Sequence, residues 1–127
     1  MTRYDVSCQP PAPVARVSIE NPTSGVKLSD VPMLIDSGAD VTLLPASSIA
    51  RLGLLLDTDK AYELEGFDAG SKRVARAALA VMEVGAFRFR GSYLFFDSET
   101  GVIGRNILNR VVLELNGPGR TWSMRKS

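Results

Sequence analysis

The 127 residues include no histidine, and this absence removes several chemistries at once. Without imidazole there is no Ser-His-Asp or Cys-His nucleophile and no His-containing zinc site. A lone cysteine, Cys8, excludes an internal disulfide. Charge of one sign is also missing: 15 Lys and Arg face 14 Asp and Glu, leaving a formal net charge of +1 with the signs interspersed. Such a balance carries no electrostatic footprint for nucleic acid or an anionic membrane. No apolar run approaches the roughly 20 residues of a membrane span, and the amino terminus lacks the basic-then-apolar pattern of a secretory signal. The expectation is a soluble, cytoplasmic chain with no membrane span and no nucleic-acid partner. Internal repeats are absent too, so any chemistry that needs two copies of a motif needs two copies of the chain.

What is present is enough apolar material, 45% of residues, for one domain with one modest core. Residues 1–13, with Gln9-Pro10-Pro11-Ala12-Pro13, read as an extended Pro-rich arm, because consecutive prolines oppose both helix and internal strand. Residues 14–127 read as a single all-β domain. Val14, Arg16, Ser18 and Glu20 alternate with Ala15, Val17 and Ile19; Asn21-Pro22-Thr23-Ser24-Gly25 makes a turn, and the chain returns towards Asp36 as a hairpin. Pro45 and Gly53 bracket one short helix. From 61 to 96 the alternation is again that of strands. The last residues, around Asn116-Gly117-Pro118-Gly119, predict a final hairpin that carries Trp122, either facing a partner subunit or covering the core.

Met33-Leu34-Ile35-Asp36-Ser37-Gly38-Ala39-Asp40-Val41-Thr42-Leu43-Leu44-Pro45 is the segment that bears chemistry. An apolar strand runs into an Asp-Ser-Gly turn and leaves it as another apolar strand. A carboxylate so placed is either satisfied by a specific network or kept for reaction, since charged side chains are rarely buried unpaired. Ser37 can donate and accept hydrogen bonds, while Gly38 offers unusual backbone angles and an amide free to approach the carboxylate. A metal site made of carboxylates would need several converging acids, and only Asp36 and Asp40 lie close together. Further on, Gly101-Val102-Ile103-Gly104-Arg105-Asn106-Ile107-Leu108 is an apolar strand stopped by Gly104 and followed by a helix-like turn.

Together, Leu-Ile-Asp-Ser-Gly-Ala and Val-Ile-Gly-Arg-Asn-Ile-Leu resemble the retropepsin family, the dimeric aspartic proteases of retroviruses and their cellular and bacterial relatives, over about residues 14–115. The resemblance implies a single-lobe, closed-barrel, all-β fold with one or two short helices, dimerising around a two-fold axis. It implies an aspartic endopeptidase acting on peptide or protein substrates, with no metal and no other cofactor. Two carboxylates sharing one proton can activate water, polarise the scissile carbonyl and return a proton to the leaving amine. A single Asp-Ser-Gly supplies one of them, so the second is expected from another copy of the chain, with Asp36 catalytic in each.

Further roles follow from the same resemblance. Ser37 would bond across the dimer axis, and Gly38 would orient the carboxylate. Ala39 and Asp40 would line the substrate groove, Asp40 accepting from substrate backbone or pairing with Arg105. Leu64, Val102 and Ile103 are candidates for apolar substrate pockets, although isolated apolar residues equally serve a core. Gly66, Phe67 and Asp68, in the segment Gly66-Phe67-Asp68-Ala69-Gly70-Ser71, correspond to a flap over the substrate, or to a plain hairpin loop. Gly104, Arg105 and Asn106 would support the turn. The rival to catalysis is a silent dimer of the same fold that binds extended peptides by strand addition.

Overall fold

The computed structural model describes residues 1–64 and 73–127. In β2 (Val14–Glu20) the buried Ala15, Val17 and Ile19 alternate with the exposed Arg16 and the half-buried Ser18 and Glu20. This is the period of two that a strand shows with one face on a core. It turns back into β3 (Lys27–Ile35), pairing antiparallel from Val14↔Leu34 to Glu20↔Lys27 with a bulge between Val17 and Ile19. The hairpin turn is anchored by Asn21, whose Nδ2 donates to the Leu52 carbonyl at 2.9 Å. Leu52 ends α1 (Ser47–Leu52), and Gly53 closes that helix at φ 62°, left-handed backbone that glycine adopts without a Cβ penalty. Pro45 and Gly53 thus bracket the helix as the sequence predicts.

The remaining barrel strands are β4 (Leu43–Pro45), β6 (Arg73–Val84), β7 (Phe87–Phe96) and β8 (Gly101–Ile103), with β5 (Leu56–Leu64) outside. Hydrogen-bonded order runs β2-β3-β8-β4-β7-β6-β5, and β6 also pairs with β2 through Ser18↔Glu83, Ile19↔Met82 and Glu20↔Val81. That extra pairing closes six strands into a barrel, and β5 continues from β6 as a flange. The expected all-β closed barrel with two short helices is therefore what the chain forms. Its main core joins Val17, Ile19, Met33, Leu44, Met82, Phe95 and Ile103. A smaller cluster of Leu43, Ala75, Phe96 and Val102 packs with Ala39, Val41 and Leu94 beside the Asp36 turn.

After β8 come α2 (Arg105–Leu108), β9 (Val112–Asn116) and β10 (Thr121–Arg125). The predicted final hairpin is β9–β10, and β1 (Thr2–Arg3) joins it through Thr2↔Trp122 and Arg3↔Thr121 to make a three-stranded sheet. The first residues are thus extended but not free. The prolines stop the arm from forming internal strands yet leave its first residues able to pair with an edge. Trp122 resolves in favour of the core: it is 6% exposed and belongs to the main apolar cluster. Among the described residues, no helix is long and apolar enough to cross a membrane.

The seam that closes the barrel is bound by charge as well as by backbone. Arg88 on β7 reaches Glu20 on β2 and Glu83 on β6, both at 2.8 Å, and Lys27 on β3 reaches Glu83 at 3.0 Å. The Lys27 hydrogen bond, then the charges of Lys27 and Arg88, hold the Glu83 carboxyl below its ordinary value. A depressed carboxylate contributes stability above its unfolded value, and this is lost as pH falls through the folded value. The urea midpoint of wild type is therefore expected to fall more steeply below about pH 4.5 than that of Glu83→Gln. Parallel curves for the two proteins would show that the cluster does not stabilise the seam.

Candidate functional site

Asp36 is the first residue past β3, and its position follows from the pairing of β3 with β8. That pairing is parallel, Met33↔Gly101, Leu34↔Val102 and Ile35↔Ile103, and it continues one residue further as Asp36 N–H donates to the Ile103 carbonyl at 3.0 Å. The backbone then turns sharply, with Ala39 N–H donating to the Asp36 carbonyl at 3.2 Å. Gly38 N–H donates to Asp36 Oδ1 at 2.9 Å, which holds the carboxylate against its own loop. A Cβ on Gly38 would lie 3.1 Å from that same oxygen. Any side chain at 38 would therefore crowd the carboxylate and push it aside by a few tenths of an ångström, whereas backbone angle sets no requirement, Gly38 not being among the residues of positive φ. The carboxylate is half-buried, and Ser37, Gly38 and Asp40 around it are exposed.

Beneath the turn, the segment after β8 straps it down. Arg105 N–H donates to the Ala39 carbonyl at 2.8 Å, Arg105 Nη1 to the Ser37 carbonyl at 2.7 Å, and Asn106 N–H to the Asp40 carbonyl at 3.3 Å. Thr42, 2% exposed, completes the strap: its Oγ1 donates to Asn106 Oδ1 at 2.7 Å and accepts from Gly104 N–H at 3.1 Å. A Cβ on Gly104 would overlap the backbone carbonyl of Val41, so the two segments touch main chain to main chain. These contacts leave the 36–42 turn little freedom, as an oriented reacting group requires.

Gly104, Arg105 and Asn106 therefore come together under Asp36, Ser37, Gly38, Ala39 and Asp40. Of the two roles open to Asp40, the ion pair with Arg105 does not form among the described residues. The guanidinium is turned to the Ser37 carbonyl instead, and Asp40 engages the strap only through its backbone. Val102 and Ile103 separate, because neighbouring residues of a strand face opposite ways. Val102 joins the small cluster beside Ala39 and Val41, while Ile103 is fully buried in the main core, where it packs rather than lines a groove. Leu64 ends β5 with its backbone opposite Arg73, its side chain lying outside what is described. Gly66, Phe67 and Asp68, the expected flap, lie outside the described residues. No group of three His, Cys, Asp or Glu among the described residues could hold a metal ion.

Thr42 escaped the sequence reading. Its signal was visible as the one polar residue in the run Val41-Thr42-Leu43-Leu44-Pro45, since a hydroxyl there must find partners once buried. Thr42→Val keeps the shape and leaves the buried Gly104 N–H without its partner, while Asn106, an exposed residue, loses its bond to the hydroxyl, at an expected cost of about 1–3 kcal/mol. Thr42→Ser should retain most of the stability. Urea unfolding of the two variants checks this, and equal midpoints would remove the hydroxyl from the strap.

Residues 25–110 match the model of a protein family described as "gag-polyprotein putative aspartyl protease". No curated protein matches the chain. Among solved structures, the chain is similar to the EIAV protease in complex with the inhibitor HBY-793. The TM-score is 0.55 and the identity 20%, over 77% of this chain and 86% of that one. At that identity the likeness concerns the fold.

Proposed function

Since the chain belongs to this family of gag-polyprotein-type aspartyl proteases, matched over residues 25–110, we propose that it is an endopeptidase whose Asp36 pairs with Asp36 of a second copy. The observation that carries this reading is the braced, half-buried carboxylate. Gly38 N–H fixes one oxygen, and the other makes no hydrogen bond among the described residues. One such group per chain cannot be acid and base at once. A two-fold axis beside the exposed Ser37 brings two of them together, with Ser37 bonding across the axis.

In the paired site one carboxylate takes a proton from water, and its protonated partner hydrogen-bonds the scissile carbonyl and steadies the developing oxyanion. As the tetrahedral intermediate collapses, the proton passes to the leaving amine and the roles exchange. Ala39 and Val102 offer apolar lining for substrate side chains, and Asp40, free of Arg105, accepts from substrate backbone. Because the pair works with one proton between two groups, activity is confined to a pH window below neutrality and ceases when both are ionised.

Incubation with denatured casein across mildly acidic pH, with and without a transition-state-mimicking inhibitor of aspartic proteases, tests the reading. Cleavage that the inhibitor blocks and chelators leave untouched is expected. Binding of extended peptide without cleavage would point to the silent dimer, and activity still rising above about pH 9 would revive another nucleophile.

A further inference from the structure

The terminal sheet leaves one regular edge open. Its strands lie in the order β1-β10-β9, and β9 pairs with β10 through five consecutive residues, Val112↔Arg125 to Asn116↔Thr121, without a bulge. No strand covers the far side of β9 among the described residues. Such an edge offers unpaired N–H and C=O groups to another strand unless charge, proline or a bulge blunts it. The edge strand beyond the barrel is blunted: β5 has a bulge between Asp57 and Ala61, and its sequence there includes Asp57, Asp59 and Lys60. β9, Val-Leu-Glu-Leu-Asn, has a single charge, Glu114, and neither proline nor bulge.

Directly paired residues share a face of a sheet, so Leu113 and Leu115 lie on the side of Met124 and Trp122. That is the inner side: Trp122 belongs to the main core, and Val111, Leu113 and Met124 pack against it. Leu115 is the exception, 51% exposed at the open edge. The inner apolar face thus runs out to the edge and ends uncovered. β9 is also the strand that issues from the strap, since α2, whose Arg105 and Asn106 hold the Asp36 turn, leads into it across only Asn109, Arg110 and Val111.

We propose that the open edge of β9 pairs antiparallel with β9 of a second copy, about a two-fold axis at Leu113, and joins the two terminal sheets into one. The strand is complementary to itself in that register. Val111 falls opposite Leu115 of the partner subunit and Leu113 opposite Leu113 of the partner subunit, all on the inner face, while Glu114 meets Val112 of the partner subunit instead of a like charge. β1 stays on β10 of its own chain. The proposal rests on the reading that two copies build the Asp36 site, and it names the edge that brings them together.

Sedimentation equilibrium of the wild type should show a concentration-dependent dimer. Leu115→Arg, at an exposed position that folding tolerates, should weaken that dimer at least about tenfold. Leu79→Arg, at a leucine of similar exposure (46%) on β6, should leave it unchanged. In a Cys8→Ser background, Arg3→Cys combined with Thr121→Cys, a directly paired couple, should oxidise within one chain and keep the dimer. A wild type that dimerises through Leu115 yet cleaves nothing would uphold the interface and overturn the catalytic reading alone. A wild type that stays monomeric, a Leu115→Arg protein that dimerises as the wild type does, or oxidation between chains in the double-cysteine protein would each overturn the interface.

Discussion

Asp36→Asn is expected to yield a folded protein whose proteolysis falls by at least about 10²–10⁴-fold, the scale on which positioned acid–base groups accelerate reactions. Folding should survive because the amide oxygen of Asn can still accept the Gly38 N–H bond that Asp36 Oδ1 accepts at 2.9 Å. Chemistry should not survive, because an amide cannot take the proton from water or return it. A mixed dimer has one acid and one amide, and it should be nearly as inactive as the pure variant. Excess Asp36→Asn chain added to a fixed amount of wild type should therefore suppress activity by drawing wild-type chains into mixed pairs. If subunits demonstrably exchange and activity still tracks only the amount of wild-type chain, the shared dyad is wrong.

Gly104→Ala is expected to cost about 1–3 kcal/mol or more, the range for forcing extra atoms into a packed site. Its new Cβ would meet the carbonyl oxygen, carbonyl carbon and amide nitrogen of Val41, and backbone cannot swing aside as the end of a side chain can. Relief requires the 39–42 and 104–106 segments to part, which would stretch the Gly104 N–H bond to Thr42 Oγ1 and the Arg105 N–H bond to Ala39. Stability and activity should therefore fall together. A urea midpoint and a proteolysis rate both close to wild type would show that the two segments tolerate separation.

Much of this was legible in the sequence where local pattern and tertiary role coincide. The alternation along β2, the Pro45 and Gly53 brackets of α1, and the Asp-Ser-Gly turn between apolar strands all state their structure within a few residues. Gly104 was recognisable as a strand stop, but the reason for it, contact with Val41, depends on a segment far along the chain. The same holds for Thr42, whose partners Gly104 and Asn106 lie 62 and 64 residues away. Charge pairing was the least legible feature. Opposite signs made Asp40 and Arg105 natural partners, yet the guanidinium found the Ser37 carbonyl nearer to hand. Residue spacing along β8 likewise says that Val102 and Ile103 face opposite ways without saying which of them meets the core.

The long strap has a consequence for the timing of biosynthesis. Ser37 and Arg105 are separated by 68 positions, a stretch that takes roughly 3–14 s to make at about 5–20 residues per second. Throughout that interval Asp36 has no Ile103 carbonyl to extend its strand, and its turn has no Arg105 or Asn106 to hold it. The scaffold of the carboxylate thus cannot exist on a chain whose synthesis has only reached the barrel's middle strands. Formation of the site therefore waits on synthesis of the 103–106 segment, whatever the folding of the strands before it.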